Sequence, residues 1–170
     1  AGMVLALMAT AVTLNSIAPA PSTRYSEAAR IGKQAKNFDE LAERFHVLAR
    51  DKGALYAFEV LRRAELPQDT DIHLLGHAIG DELYIQNGVA GMADCTQEFR
   101  NACSHSVVIG ALTEWGEGAL SLIRDACRRA PGGPGAYTMC FHGLGHGVFA
   151  YYGYSLPETV AFCGQTGTEA

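Results

Sequence analysis

Apolar and polar residues follow one rule up to about residue 71 and another after it. In the first stretch Phe38, Leu41, Phe45 and Leu48 recur at spacings of three and four, the stripe of an amphipathic helix. Asn37 is placed to cap that helix, Asp39 and Glu40 put negative charge in its first turn, and Gly53 is placed to end it. His46 sits beside the stripe and reads as a surface or packing residue. A second helix is expected from about Ala54 to Ala64, with Leu55, Phe58 and Leu61 inward and Pro67 closing it.

Beyond residue 71 the segments are less charged and are punctuated by glycine. Asp69 or Asp71 can cap a helix reaching about Asn87, with Gly88 after it. A helix over Ala102 to Trp115 is broken by Gly116 and Gly118, and Ala119 to Arg129 follows as a shorter one. Pro131 to Gly135 reads as a surface connection. Met139 to Tyr152 is expected to be helical and to stop at Gly153, and Leu156 to Cys163 pairs with it, Pro157 and Glu158 suiting its first turn. Gly76, Gly80, Gly143, Gly145 and Gly147 fall inside these helices, each costing about 1 kcal/mol relative to Ala. Such residues point to close approach of a second helix or a ligand, the alternative being a loop over 142–147.

These segments can be superposed. His73 precedes Cys95 by 22 residues, His105 precedes Cys127 by 22, and His142 precedes Cys163 by 21. Each unit reads as a helix, a glycine-marked turn, a shorter helix and a cysteine, with the period of two-helix arrays. The expected fold is therefore all-α: helical-hairpin repeats, about three units, packed as a bundle or curved array behind an N-terminal hydrophobic helix. Leu83, Trp115 and Tyr152 take equivalent places and are expected in the core.

If the cysteine ending one unit bonds the cysteine opening the next, the pairs are Cys95–Cys103 and Cys127–Cys140. Cys163 is then left for a fourth unit, so the 72–170 region is expected to be truncated at its C-terminus. A rival assignment makes Cys103, His105, Cys140 and His142 a closed zinc site. Residues two apart on a helix point about 200° from each other, which disfavours it.

Charge sharpens the division. Thr23 to Asp71 holds nine basic and nine acidic residues, so the net charge of −5 resides in the remainder. That balance argues against nucleic acid as a partner. Residues 1–17 carry no charge and are mostly apolar, and are expected to be a membrane anchor or a signal helix, with a buried core helix as the third option. Residues 18–71 form a linker with amphipathic helices. Disulfides and either targeting reading place the domain on the extracytoplasmic side, periplasmic or extracellular.

The sharpest chemical signals are His73-Leu-Leu-Gly-His77 and His142-Gly-Leu-Gly-His146. A spacing of four places both imidazoles on one helix face, one turn apart. Such pairs suit a transition metal, Zn or Cu and also Fe, and not Ca or Mg. In an open array the second unit separates the pairs, so they meet at one ion only if the units curl into a bundle or ring. His105 then points at the same centre. Asp81, one turn beyond His77, is a candidate ligand or partner for an imidazole N–H. Glu82 and Glu114 are candidate bases acting on a metal-bound water. The expected function is an extracytoplasmic, membrane-anchored helical domain that binds a transition metal through paired histidines. The alternatives are a disulfide-stapled scaffold presenting a surface to a protein partner, with structural histidines, non-covalent haem binding, and a metal-dependent hydrolase or oxidase.

Overall fold

The computed structural model describes residues 21–130 and 133–166, whose regular elements are all helices with no strand among them. Residues 1–17, read above as an anchor or signal helix, lie outside that range. Among the described residues no helix is long and apolar enough to cross a membrane.

The first layer is α1 (Pro21–Gln34), α2 (Phe38–Lys52) and α3 (Ala54–Arg63). Asn37 caps α2 by accepting from the Glu40 N–H at 2.8 Å. Leu41, Phe45 and Leu48 are buried as the stripe requires. Phe58 and Leu61 of α3 are buried too, but Leu55 is 48% exposed, because Ala54 and Tyr56 share the packed side instead. The α1 helix contributes Ala28 and Ile31 to the core. His46 of α2 places Nε2 3.1 Å from Oε1 of the buried Glu82 and so links this layer to the next.

The second layer is built on three long helices: α4 (Ile72–Asn87), α5 (Ala102–Trp115) and α7 (Gly133–Tyr151). Asp71 caps α4, accepting from the N–H groups of His73 and Leu74 at 3.0 and 3.2 Å. Gly88 and Gly116 stop α4 and α5 with φ of 56° and 58°, where a side chain would be strained. Two shorter helices, α6 (Leu120–Arg129) and α8 (Leu156–Cys163), follow α5 and α7. After α4 the chain forms a 3₁₀ turn over Gly88–Asp94, not the second α-helix expected of a hairpin unit. The α7 helix begins at Gly133, well before Met139, since Pro134 has the φ of a first helical turn and needs no intrahelical donor. The 142–147 segment is helix and not loop. Trp115 is 60% exposed rather than in the core: it is the last residue of α5, and equivalence to the buried Leu83 does not set which way a terminal residue faces.

Two disulfides join these elements, Cys95–Cys103 and Cys127–Cys140. The rival zinc site on Cys103 and Cys140 is thereby excluded, because both sulfurs are bonded to other cysteines. The loop closed by Cys95–Cys103 contains Phe99, Arg100 and Asn101 in succession with φ of 53°, 54° and 62°. Left-handed backbone costs a non-glycine residue on the order of 1–2 kcal/mol. The disulfide, a stack of Phe99 on Phe58 with ring centroids 6.0 Å apart, and the Arg62–Glu98 ion pair hold the segment in place.

Candidate metal centre

The position of every candidate ligand follows from how α4 and α7 dock on α5. Ala102 and Ser106 face α4, whose Gly76 and Gly80 meet them so closely that an added Cβ would stand 2.8 Å from either residue's Cβ. Ser104 and Val108 face α7 and are met by Gly143 and Gly147. At about 100° per residue, Ala102 and Ser104 lie roughly 200° apart, so α4 and α7 pack on opposite sides of α5. His105 lies on the edge between those two contacts. The glycines bring both outer helices close enough for their own histidines to reach it, His77, His142 and His146 each standing next to a contact glycine and His73 one turn before Gly76.

Five imidazoles consequently converge from three helices. Ring centroids are 4.6 Å apart for His73 and His77, 5.4 and 5.5 Å from those rings to His105, 4.8 Å from His105 to His146, 6.1 Å to His142, and 4.6 Å between His142 and His146. They form two groups, His73–His77–His105 and His105–His142–His146, in each of which the ligand atoms lie within 4.8 Å of one another. The expectation that curling would bring both pairs to one ion needs correcting: α5 does stand between the pairs, and His105 is the residue they share. His73 and His77 are half-buried, His105 is 4% exposed, and His142 and His146 are exposed.

The inner group is oriented by hydrogen bonds. His73 Nδ1 is 2.8 Å from the Phe99 carbonyl oxygen. A carbonyl only accepts, so Nδ1 carries the proton and Nε2 presents a lone pair. The left-handed turn is what aims that carbonyl. His77 Nδ1 is 2.9 Å from Ser106 Oγ, which also lies 3.2 Å from the His77 carbonyl. When the hydroxyl donates to that carbonyl, Oγ accepts from Nδ1–H and the second Nε2 lone pair is freed. When it donates to Nδ1 instead, the proton sits on His77 Nε2.

The two Nε2 atoms are 3.3 Å apart. Facing lone pairs at that distance repel unless something stands between them, either the His77 Nε2 proton of the second arrangement, donated to His73 Nε2, or a metal ion. Two nitrogens bound tetrahedrally at about 2.0–2.1 Å from an ion lie about 3.3–3.4 Å from each other. The pair is thus spaced as one edge of a tetrahedral site. His105 Nε2 is buried with no hydrogen-bond partner among the described residues, a state that costs about 1–3 kcal/mol and that a metal bond would relieve.

At His77, His105 and His146 the surroundings favour the neutral form, the one in which imidazole binds metal. Burial, followed by the neighbouring imidazoles with His146 first, pushes His105 down to about 3. Burial and then His73 lower His77, against an opposing pull from Asp81 and Asp71. Burial and then His142 lower His146.

The acidic candidates sit elsewhere. Asp81 is exposed and belongs to neither group, and acts on His77 only through its charge. Glu82 is buried against His46. Glu114 accepts a hydrogen bond from the Tyr84 hydroxyl at 2.6 Å. Sequence reasoning missed the two orienting groups. Ser106 stands beside His105, a polar residue in an apolar helical run, and could have been singled out. The Phe99 carbonyl could not, because nothing in Phe-Arg-Asn signals a left-handed turn. No protein-family model, no curated protein and no solved structure matches the chain.

Proposed function

We propose that this chain is a histidine metal centre, binding a transition ion, Zn or Cu and also Fe, on the extracytoplasmic side of a membrane. The observation that carries the reading is the pair of Nε2 atoms 3.3 Å apart on His73 and His77, with His105 completing the group. The two disulfides support an oxidising compartment. The uncharged apolar run over residues 1–17 supports anchoring or export. The recurrence of a long helix, a glycine stop and a cysteine supports the reading of three related units. The accessible His142 and His146 support access of an outside ligand, as a metal-dependent hydrolase or oxidase requires.

Metal analysis and thermal unfolding of the purified chain test this. Zn2+ at 100 times Kd adds about 2.7 kcal/mol of stability by mass action. That is roughly 5–10 °C in Tm for a chain of this size, and His77→Ala, which takes a ligand from the inner group, reduces the shift. Protein loaded under metal-replete conditions that retains no metal, with an unmoved Tm, would contradict it. The second reading, a stapled scaffold for a protein partner, would then stand. It is favoured by the His73–Phe99 and His77–Ser106 hydrogen bonds, which tie α4 to its neighbours without any ion.

A further inference from the structure

The five imidazoles do not fall into one group; they fall into two, and one residue is common to both. A neutral imidazole offers one lone pair, so His105 as it stands can serve one ion. Its place argues that it serves more. It is the single candidate ligand on α5, it lies between the His73–His77 pair on α4 and the His142–His146 pair on α7, and its buried Nε2 has no hydrogen-bond partner among the described residues.

Resting on the metal-binding reading, we propose that the centre is dinuclear, with His105 as an imidazolate bridging an inner ion held by His73 and His77 and an outer ion held by His142 and His146. With metal–nitrogen bonds of about 2.0–2.1 Å at both ring nitrogens, the ions are on the order of 6 Å apart. When the second ion binds, the remaining ring N–H bond breaks. The proton passes to solvent, and the electron pair it leaves forms the second metal–nitrogen bond. No oxidation state changes. The two ions differ in access, since the inner group is half-buried and the outer histidines are exposed. His142 and His146 also line an open groove with Phe141, Phe149, Leu156 and Thr159. The outer ion is therefore the one that takes an exchangeable small ligand, water or an anion.

Cu2+ titrated into the metal-free chain, with both disulfides formed, is the probe. Electron paramagnetic resonance intensity rises to one equivalent, then falls as the second binds, because unpaired electrons on two ions couple through a shared ring. The His142→Ala variant, altered at an exposed position, binds one equivalent and keeps its full signal. Intensity that doubles at two equivalents means independent ions and overturns the bridge. Saturation at one equivalent in the unmodified chain also overturns it, with metal binding left standing. A chain that takes up no copper overturns both the bridge and the metal-binding reading.

Discussion

Replacing Gly147 by Ala tests the helix approach on which the centre depends. A Cβ at this position would overlap Val108 Cγ1 and stand 2.9 Å from Val108 Cβ. Ordinary carbon contacts are about 3.5–4.0 Å, so the shortfall at Cβ is about 0.6–1.1 Å. Rotating Val108 about χ1 moves Cγ1 but leaves Cβ in place, and Val108 is fully buried. Helices α5 and α7 must therefore part by roughly 1 Å, which forfeits a quarter to a half of each contact across the interface. Overpacking of this kind costs about 3 kcal/mol at its upper range, against about 1 kcal/mol gained in helix propensity. Gly145, two residues earlier in the same helix, has nothing within 4 Å of its added Cβ among the described residues. Gly145→Ala should keep the propensity gain of about 1 kcal/mol. The two variants then differ by about 3 kcal/mol, or roughly 6–12 °C in Tm. Thermal unfolding followed by circular dichroism reads this directly. If Gly147→Ala melts at or above Gly145→Ala, the close packing of α7 on α5 described here is wrong.

Three further outcomes follow from the same geometry. Ser106→Ala removes the acceptor for His77 Nδ1–H and should weaken Zn2+ binding about 10–100-fold by calorimetry, as loss of an orienting partner does. Cys95→Ser with Cys103→Ser should cost about 2–3 kcal/mol of stability in urea unfolding and, by freeing the left-handed turn, weaken the His73 group while sparing the His142 group. In metal-free protein the unfolded chain binds a proton at His105 near pH 6.5 that the folded centre refuses until about 3. Stability should therefore fall as pH drops from about 6.5 toward about 3, so the urea midpoint at about pH 5 should lie below that at about pH 7.5. The Glu98 carboxyl, held below its ordinary 4.5 by Arg62, adds its own loss only at lower pH; a midpoint unchanged between the two pH values would refute the histidine contribution.

Helix ends were legible where glycine marks them. Asn87 and Trp115 are the last residues of α4 and α5 as Gly88 and Gly116 predict, and α8 has its expected bounds. The cysteine pairing was legible through the spacing of the units. The meeting of His73, His77, His105, His142 and His146 was legible as a possibility, but its route was not. Curling was expected because helices normally sit about 8–10 Å apart. Gly76 and Gly80 on one side of α5, and Gly143 and Gly147 on the other, shorten that spacing, and glycine in a helix does not announce which neighbour it will meet. Leu55 and Trp115 were misplaced for a related reason. Periodicity identifies a face, while which face is covered depends on helices far along the chain. The tautomer of His73 hangs on a backbone carbonyl turned by Phe99 in left-handed conformation, where the sequence carries no glycine to betray it.

Anomalous diffraction at the zinc absorption edge, from crystals of the zinc-loaded chain, tests the central claim most directly. The account predicts a peak within bonding distance of His73 Nε2, His77 Nε2 and His105, with a second beside His142 and His146. A map with no peak among these rings, or with zinc bound only at surface carboxylates such as Asp81, would contradict it.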